Sequence, residues 1–148
     1  MKNFNIRVYG IIINQKKEVL VSDEHLQSKF FTKFPGGGLK WGEGTKDCLK
    51  RELYEELGLE TQIGALIYVN DFFQESAFRS DDQLLSFYYL VDFIDLTAIN
   101  NLIQEPTSTK RKEEFRWIPL EKISSDLMTF PIDKHVVGML HNLRKEQL

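Results

Sequence analysis

The sequence predicts an α/β domain built on a mixed β-sheet. β-branched segments lie both before and after one central amphipathic stretch, a second amphipathic stretch closes the chain, and the composition suits one buried core. At 148 residues and 17.4 kDa, with 42% hydrophobic and 28% charged residues, the chain has room for a single domain over residues 1–148 and no second one. Adding the 9 glycines to the apolar count brings it near the globular average of roughly 45–50%, which argues against disorder.

The elements follow in order. Asn5–Asn14 carries Ile6, Val8, Ile11, Ile12 and Ile13, and after Asn14-Gln15-Lys16-Lys17 comes Glu18–Ser22, the pattern of strand, turn and strand in a hairpin. Asp23–Lys33 is polar around Phe30 and Phe31 and reads as a loop leading into Phe34-Pro35-Gly36-Gly37-Gly38. Three adjacent glycines imply backbone angles, or a close approach, that side chains would block. Thr45 as N-cap, Leu49, Leu53 and Leu57 at four-residue spacing and Gly58 as a stop define the central helix. Ile63–Phe73 and Leu84–Phe93 read as strands separated by the polar Gln74–Gln83, and Ile94–Arg111 as a variable connection. Phe115–Ile118 is a short strand ended by Pro119. From Pro131 to Leu148, Ile132, Val136, Val137, Met139, Leu140 and Leu143 recur at helical spacing.

Composition also narrows the partners. A formal charge of −3, a pI near 5.6 and the lack of a basic run argue against stable nucleic-acid binding or attachment to a membrane surface, so a phosphate-bearing ligand needs another source of positive charge. Cys48, the single cysteine, has no internal disulfide partner and reads as a small buried hydrophobe. Met1–Tyr9 carries Lys2, Asn3, Asn5 and Arg7 where a signal peptide needs an apolar core, and no apolar run nears the roughly 20 residues of a membrane span; the cytoplasm is the expected compartment. His25, His135 and His141 are scattered and receive no function.

The chemistry concentrates on the central helix. Glu52, Glu55 and Glu56 stand at i, i+3 and i+4, so they share one side. A Glu-rich helix face is ordinarily just solvated. Here Glu52 and Glu56 border the Leu49–Leu53–Leu57 stripe, and three ionised carboxylates in a partly desolvated place are costly unless a cation sits among them. Oxygen-only ligands suit Mg²⁺, or Mn²⁺ in its place, and no Cys or His beside them points to zinc.

The context is distinctive. Gly37 is followed after five residues by Glu43, then after seven by Arg51-Glu52-Leu53-Tyr54-Glu55-Glu56-Leu57-Gly58-Leu59. Such a set recurs by chance on the order of once in a billion placements. It resembles the Nudix hydrolase motif, Gly-x5-Glu-x7-Arg-Glu-aliphatic-x-Glu-Glu-x-Gly-aliphatic, at every position. The resemblance implies an α/β/α sandwich and Mg²⁺-dependent hydrolysis of a nucleoside diphosphate linked to another moiety, a nucleoside triphosphate or a nucleotide sugar, to a nucleoside monophosphate and a phosphorylated product. It implies that Glu52, Glu55 and Glu56, with Gly37, bind metal, that Arg51 orients the carboxylates and that Glu43 supports them. Gly36 and Gly38 would let the backbone meet phosphates. The family's general base is not uniform: Glu55 and Glu56 rank ahead of Glu113 and Glu114, which precede Phe115-Arg116-Trp117-Ile118-Pro119-Leu120, similar to a family segment where an extra ligand or base often lies. An exposed edge-strand pair is the plain alternative for those two.

The substrate is less legible. Phe72, Phe73, Phe78 and the Phe87-Tyr88-Tyr89 run offer flat faces to a base, although Phe87 and Tyr89 read first as core. Arg7, Lys33 and Arg79 are candidate phosphate contacts, with Lys33 best placed just before the glycines; each also reads as a surface charge. Family members often have a basic residue after the second strand, where this chain has Ser22-Asp23-Glu24. The alternative function is a non-catalytic nucleotide sensor on the same fold; an isoprenoid diphosphate isomerase would need a nucleophile in the cleft, for which Cys48 is poorly placed. Family members commonly form homodimers.

Overall fold

The computed structural model describes residues 1–105 and 113–146, with side chains of the last helix as far as residue 142. Residues 106–112 of the expected connection, and the Leu143 side chain, lie outside the described residues. The chain divides into two compact units, one of residues 1–11 and 35–94, the other of residues 12–34 and 95–148. Among the described residues no helix is long and apolar enough to cross a membrane.

The first unit holds strands β1 (Asn3–Ile11), β4 (Gly36–Gly38), β5 (Gln62–Val69) and β6 (Asp82–Phe93), with helix α1 (Thr45–Leu57). Its four-stranded sheet has the order β4-β1-β6-β5 and is mixed, as expected: β1 runs parallel to β6 and antiparallel to β4, and β5 antiparallel to β6. Val8, Tyr88 and Tyr89 are buried with Cys48, Leu49, Leu53 and Leu57, the apolar stripe of α1. Leu49 lies against Gly10, where an added Cβ would fall 3.5 Å from its methyls. Gly58 ends α1 in the left-handed region at φ 71°, its N–H on the Tyr54 carbonyl at 2.8 Å. The N-cap is Gly44 and not Thr45. Thr45 is the first helical residue, and its hydroxyl pairs with the Tyr89 hydroxyl at 2.5 Å.

The expected glycine loop is a short edge strand. Gly36–Gly38 pairs with Tyr9, Val8 and Arg7 in turn. Close approach explains the residue type: a Cβ on Gly36 would lie 2.1 Å from the Val8 carbonyl oxygen, and its φ of 145° disfavours any side chain.

The second unit holds β2 (Glu18–Leu26), β3 (Lys29–Lys33), α2 (Leu96–Gln104), β7 (Glu113–Pro119) and α3 (Pro131–Glu146). Its sheet is antiparallel, ordered β3-β2-β7. The expected hairpin forms only at its turn, where Ile13 bridges Val19 antiparallel, Asn14 N–H donates to the Glu18 carbonyl at 3.0 Å and Leu20 N–H to the Ile12 carbonyl at 2.9 Å. Along their lengths β1 and β2 belong to different sheets, and β2 pairs with β3 and β7. The Asp23–Lys33 loop is also revised, since β2 continues to Leu26 and β3 follows it. Gln27 and Ser28, at φ 52° and 65°, make the tight turn that normally asks for Asn or Gly, so composition hid it. Within the Ile94–Arg111 connection lies α2, capped by the Asp95 carboxylate on the Ala98 N–H at 3.0 Å and buried at Ile99. In α3, Ile132, Val136, Val137 and Leu140 are buried, as the spacing required.

Candidate functional site

The glycine strand and the first turns of α1 bring most of the motif together within the first unit. Gly37 faces the helix: a Cβ there would lie 2.3 Å from the Glu52 Cδ and 2.5–2.6 Å from its two oxygens. The Glu52 carboxylate fills the space that a side chain at 37 would take, so the motif glycine is obligatory for steric reasons.

Arg51 is the hub. Its Nη2 and Nε donate to Glu43 Oε1 and Oε2 at 2.7 and 3.0 Å, its Nη1 donates to Glu52 Oε1 at 2.9 Å and to the Glu55 carboxylate at 3.3–3.4 Å, and Nη2 also reaches the Gly38 carbonyl at 2.9 Å. One guanidinium thus ties the loop, the glycine strand and two helix carboxylates. The pairing raises the Arg51 pKa, Glu43 contributing most, and holds the Glu43 carboxyl down at about 2, chiefly through the bond to Arg51 and then the Lys40 N–H. Glu43 also shapes the turn before α1, its Oε1 accepting from Lys40 N at 2.8 Å. Glu55 is exposed, and Glu56 is half-buried with its Oε2 out of solvent. Cys48 is fully buried, donating to the Gly38 carbonyl at 3.4 Å, and burial followed by the Glu43 charge pushes its thiol up to about 12.

Among the described residues no three His, Cys, Asp or Glu side chains stand gathered as an ion would hold them. Glu52 and Glu55 lean on Arg51 instead. The donor chemistry nevertheless fits a hard divalent cation: Glu52, Glu55 and Glu56 offer only oxygens from one helix, and Gly37 leaves its strand open for the Glu52 carboxylate.

Lys33, Glu113 and Glu114 lie in the second unit and form a separate arrangement. Lys33 is buried, its Nζ 3.0 Å from Glu24 Oε2 and 3.2 Å from the Phe34 carbonyl. Glu113 stands opposite Glu24 in the β2–β7 register, with Ser22 Oγ donating to its Oε2 at 3.5 Å. Burial first, and the like charge of Glu24 against the opposing pull of Lys33, push the Glu113 carboxyl up to about 7. Glu114, opposite Asp23, is exposed. In the sequence Ser22 and Glu24 mark only the absence of a basic residue after the second strand; the register that sets Ser22 opposite Lys33 and Glu24 opposite Glu113 gives them their contacts.

Among the aromatics, Tyr88 and Tyr89 are buried, Phe87 and Phe78 half-buried, and Phe72 and Phe73 exposed. Arg7 is half-buried on β1. Burial pulls its pKa down, but Tyr9 and the Glu52 carboxylate outweigh that and leave it raised.

Comparison with known proteins agrees with the motif. The family model described as NUDIX domain matches residues 3–138. The chain is 38% identical over 66 residues to an 8-oxo-dGTP diphosphatase of Escherichia coli, a match covering 42% of this chain and 49% of that protein, so it spans about half the length of that relative. It is 30% identical over 125 residues to an 8-oxo-dGTP diphosphatase of Haemophilus influenzae, covering 82% of this chain and 79% of the relative. The solution structure of the E. coli ORF135 protein shares the fold at a TM-score of 0.74 and 20% identity, covering 99% of this chain and 94% of that one.

Proposed function

The chain belongs to the NUDIX domain family, and from that premise we propose that it is a Mg²⁺-dependent pyrophosphohydrolase cleaving a nucleoside triphosphate to the monophosphate and pyrophosphate. The family match runs across residues 3–138 and so includes the whole Gly37–Leu59 motif. The relatives named for 8-oxo-dGTP support a reading in which a purine triphosphate, ahead of a nucleotide sugar, is the substrate. The observation that carries the reading is the Arg51 hub, which holds Glu43, Glu52 and Glu55 beside the Gly37 backbone in one fixed arrangement.

A pyrophosphate bridge repels a water nucleophile, and a bound divalent cation would supply neutralisation of the oxygens and a lowered pKa of the attacking water. Glu52, Glu55 and Glu56 would hold that cation. Arg51 holds Glu52 and Glu55 on one guanidinium nitrogen and Glu43 anchors Arg51; in this reading Glu55 or Glu56 takes a proton from the water. Gly36 and Gly38 keep side chains off the strand that the phosphates approach.

The test is turnover of a panel of nucleoside triphosphates, 8-oxo-dGTP and nucleotide sugars with Mg²⁺, before and after chelation, in the wild-type, Glu55→Gln and Glu56→Gln proteins. Chelation should abolish turnover, and the substitutions should each lower it by about a hundredfold or more. Equal rates in all three proteins would reject the assignment, and tight binding without turnover under any divalent metal would favour a nucleotide sensor.

A further inference from the structure

We propose that Arg7 of β1 binds a phosphoryl group of the substrate on the two Nη nitrogens of its guanidinium, an inference that rests on the pyrophosphohydrolase reading. In the β1–β4 register Arg7 stands opposite Gly38 and Tyr9 opposite Gly36, so the Arg7 and Tyr9 side chains share one face of the strand. Arg7 Nε donates to the Tyr9 hydroxyl at 3.1 Å, and the guanidinium carbon lies 5.9 Å from the Tyr9 ring centroid. This contact uses the Nε edge and fixes the guanidinium plane.

The Nη edge is left over. Among the described residues Arg7 makes no ion pair, whereas Lys33 has Glu24, Arg51 has Glu43, Glu52 and Glu55, and Arg116 has Asp23. A half-buried cation whose one side-chain hydrogen bond goes to a phenol, with the Glu52 carboxylate acting on it without an ion pair, is costly to keep, and an anionic ligand reduces the cost. The residue opposite is trimmed to suit: a Cβ on Gly38 would sit 3.1 Å from Arg7 Nη1, against the edge a ligand would use. The carbonyl of the same glycine takes Arg51 Nη2, so one residue of β4 links the Arg7 fork to the carboxylate hub. A planar pair of Nη donors matches two oxygens of a phosphoryl group, a geometry a lysine cannot reproduce. It also offers a phosphate-bearing ligand a cation in a chain of net charge −3.

Steady-state kinetics on the best substrate of the panel test this with Arg7→Ala, Arg7→Lys and Tyr9→Phe. Arg7→Ala should raise KM about 10–100-fold with kcat changed less than about threefold. Arg7→Lys should keep the wild-type melting temperature yet raise KM about fivefold, the charge being retained and the fork lost, and Tyr9→Phe should raise KM by a similar factor because the plane is no longer held. Unchanged KM in Arg7→Ala, or in Arg7→Lys should the alanine variant not fold, overturns the inference and leaves the pyrophosphohydrolase reading intact. If the wild-type protein turns nothing over, that reading falls by itself, and calorimetric binding of inorganic pyrophosphate with Mg²⁺ decides on Arg7: equal affinity in wild type and Arg7→Lys overturns the inference, and weaker binding in the variant sustains it.

Discussion

Arg51 and Glu43 meet through two parallel bonds, Nη2 to Oε1 at 2.7 Å and Nε to Oε2 at 3.0 Å, leaving Nη1 for Glu52 and Glu55. A lysine at 51 keeps the charge but cannot span three carboxylates and the Gly38 carbonyl at once. Arg51→Lys should lose about a hundredfold in kcat/KM through misplacement of Glu52 and Glu55, with a lowered melting temperature. Near wild-type kcat/KM would show that the hub is not what positions the carboxylates.

Gly37→Ala is the sharpest steric test, since its methyl would land 2.3 Å from the Glu52 carboxyl carbon. Either the strand or the carboxylate must shift. Overpacking of this kind costs about 1–3 kcal/mol of stability, and displacing Glu52 should lower turnover about a hundredfold. Chemical denaturation and kcat/KM on the same preparation check both; full activity would mean that Glu52 can leave its place freely.

Two carboxylates with opposite shifts give the protein an asymmetric pH profile. Glu43, at about 2 against an ordinary 4.5, binds its proton more weakly when folded; it stabilises above about pH 4.5, and that contribution is lost as pH falls through about 2. Glu113, pushed up to about 7, binds its proton more tightly when folded. Its contribution is complete below about pH 4.5 and disappears as pH rises through about 7. Denaturant midpoints measured across this range should therefore fall from about pH 5 to pH 7, and Glu113→Gln should flatten that limb. A limb unchanged in Glu113→Gln would remove Glu113 as its source.

Cys48 should be chemically silent in the native state. Buried, and with its thiol pushed up to about 12, it carries almost no thiolate near neutral pH. Ellman's reagent should react only as fast as the protein unfolds, with full reaction in denaturant. Rapid modification of the native protein would contradict the burial of α1 against the glycine strand.

What the sequence made legible was local. Leu49, Leu53 and Leu57 identify α1 because a helix repeats its buried positions within the segment itself, and Gly58 ends it for a conformational reason visible in one residue. The carboxylates followed from the same periodicity. Beyond the turn that brings Ile13 to Val19, the partners of β1 and β2 were not legible, because register depends on segments far apart in the chain; pairing β1 with β6 and β2 with β7 is a tertiary choice. The Gln27-Ser28 turn escaped because neither residue is a glycine, although both take positive φ. Lys33 looked well placed from its position before the glycines, yet its strand register sets it opposite Ser22 and its ammonium beside Glu24. Arg7 was one basic residue among three until the register set it opposite Gly38.

The parallel alignment of β1 with β6, Asn3 opposite Asp82 through Ile11 opposite Leu90, has a consequence for biosynthesis. β1 is translated before β6 and obtains this neighbour only after the chain has been translated past Phe93. Until then Val8 has only Gly37 of β4 across from it and Ile11 has no partner in this sheet, so β1 exposes an open edge during the slow closure of a long-range parallel pair.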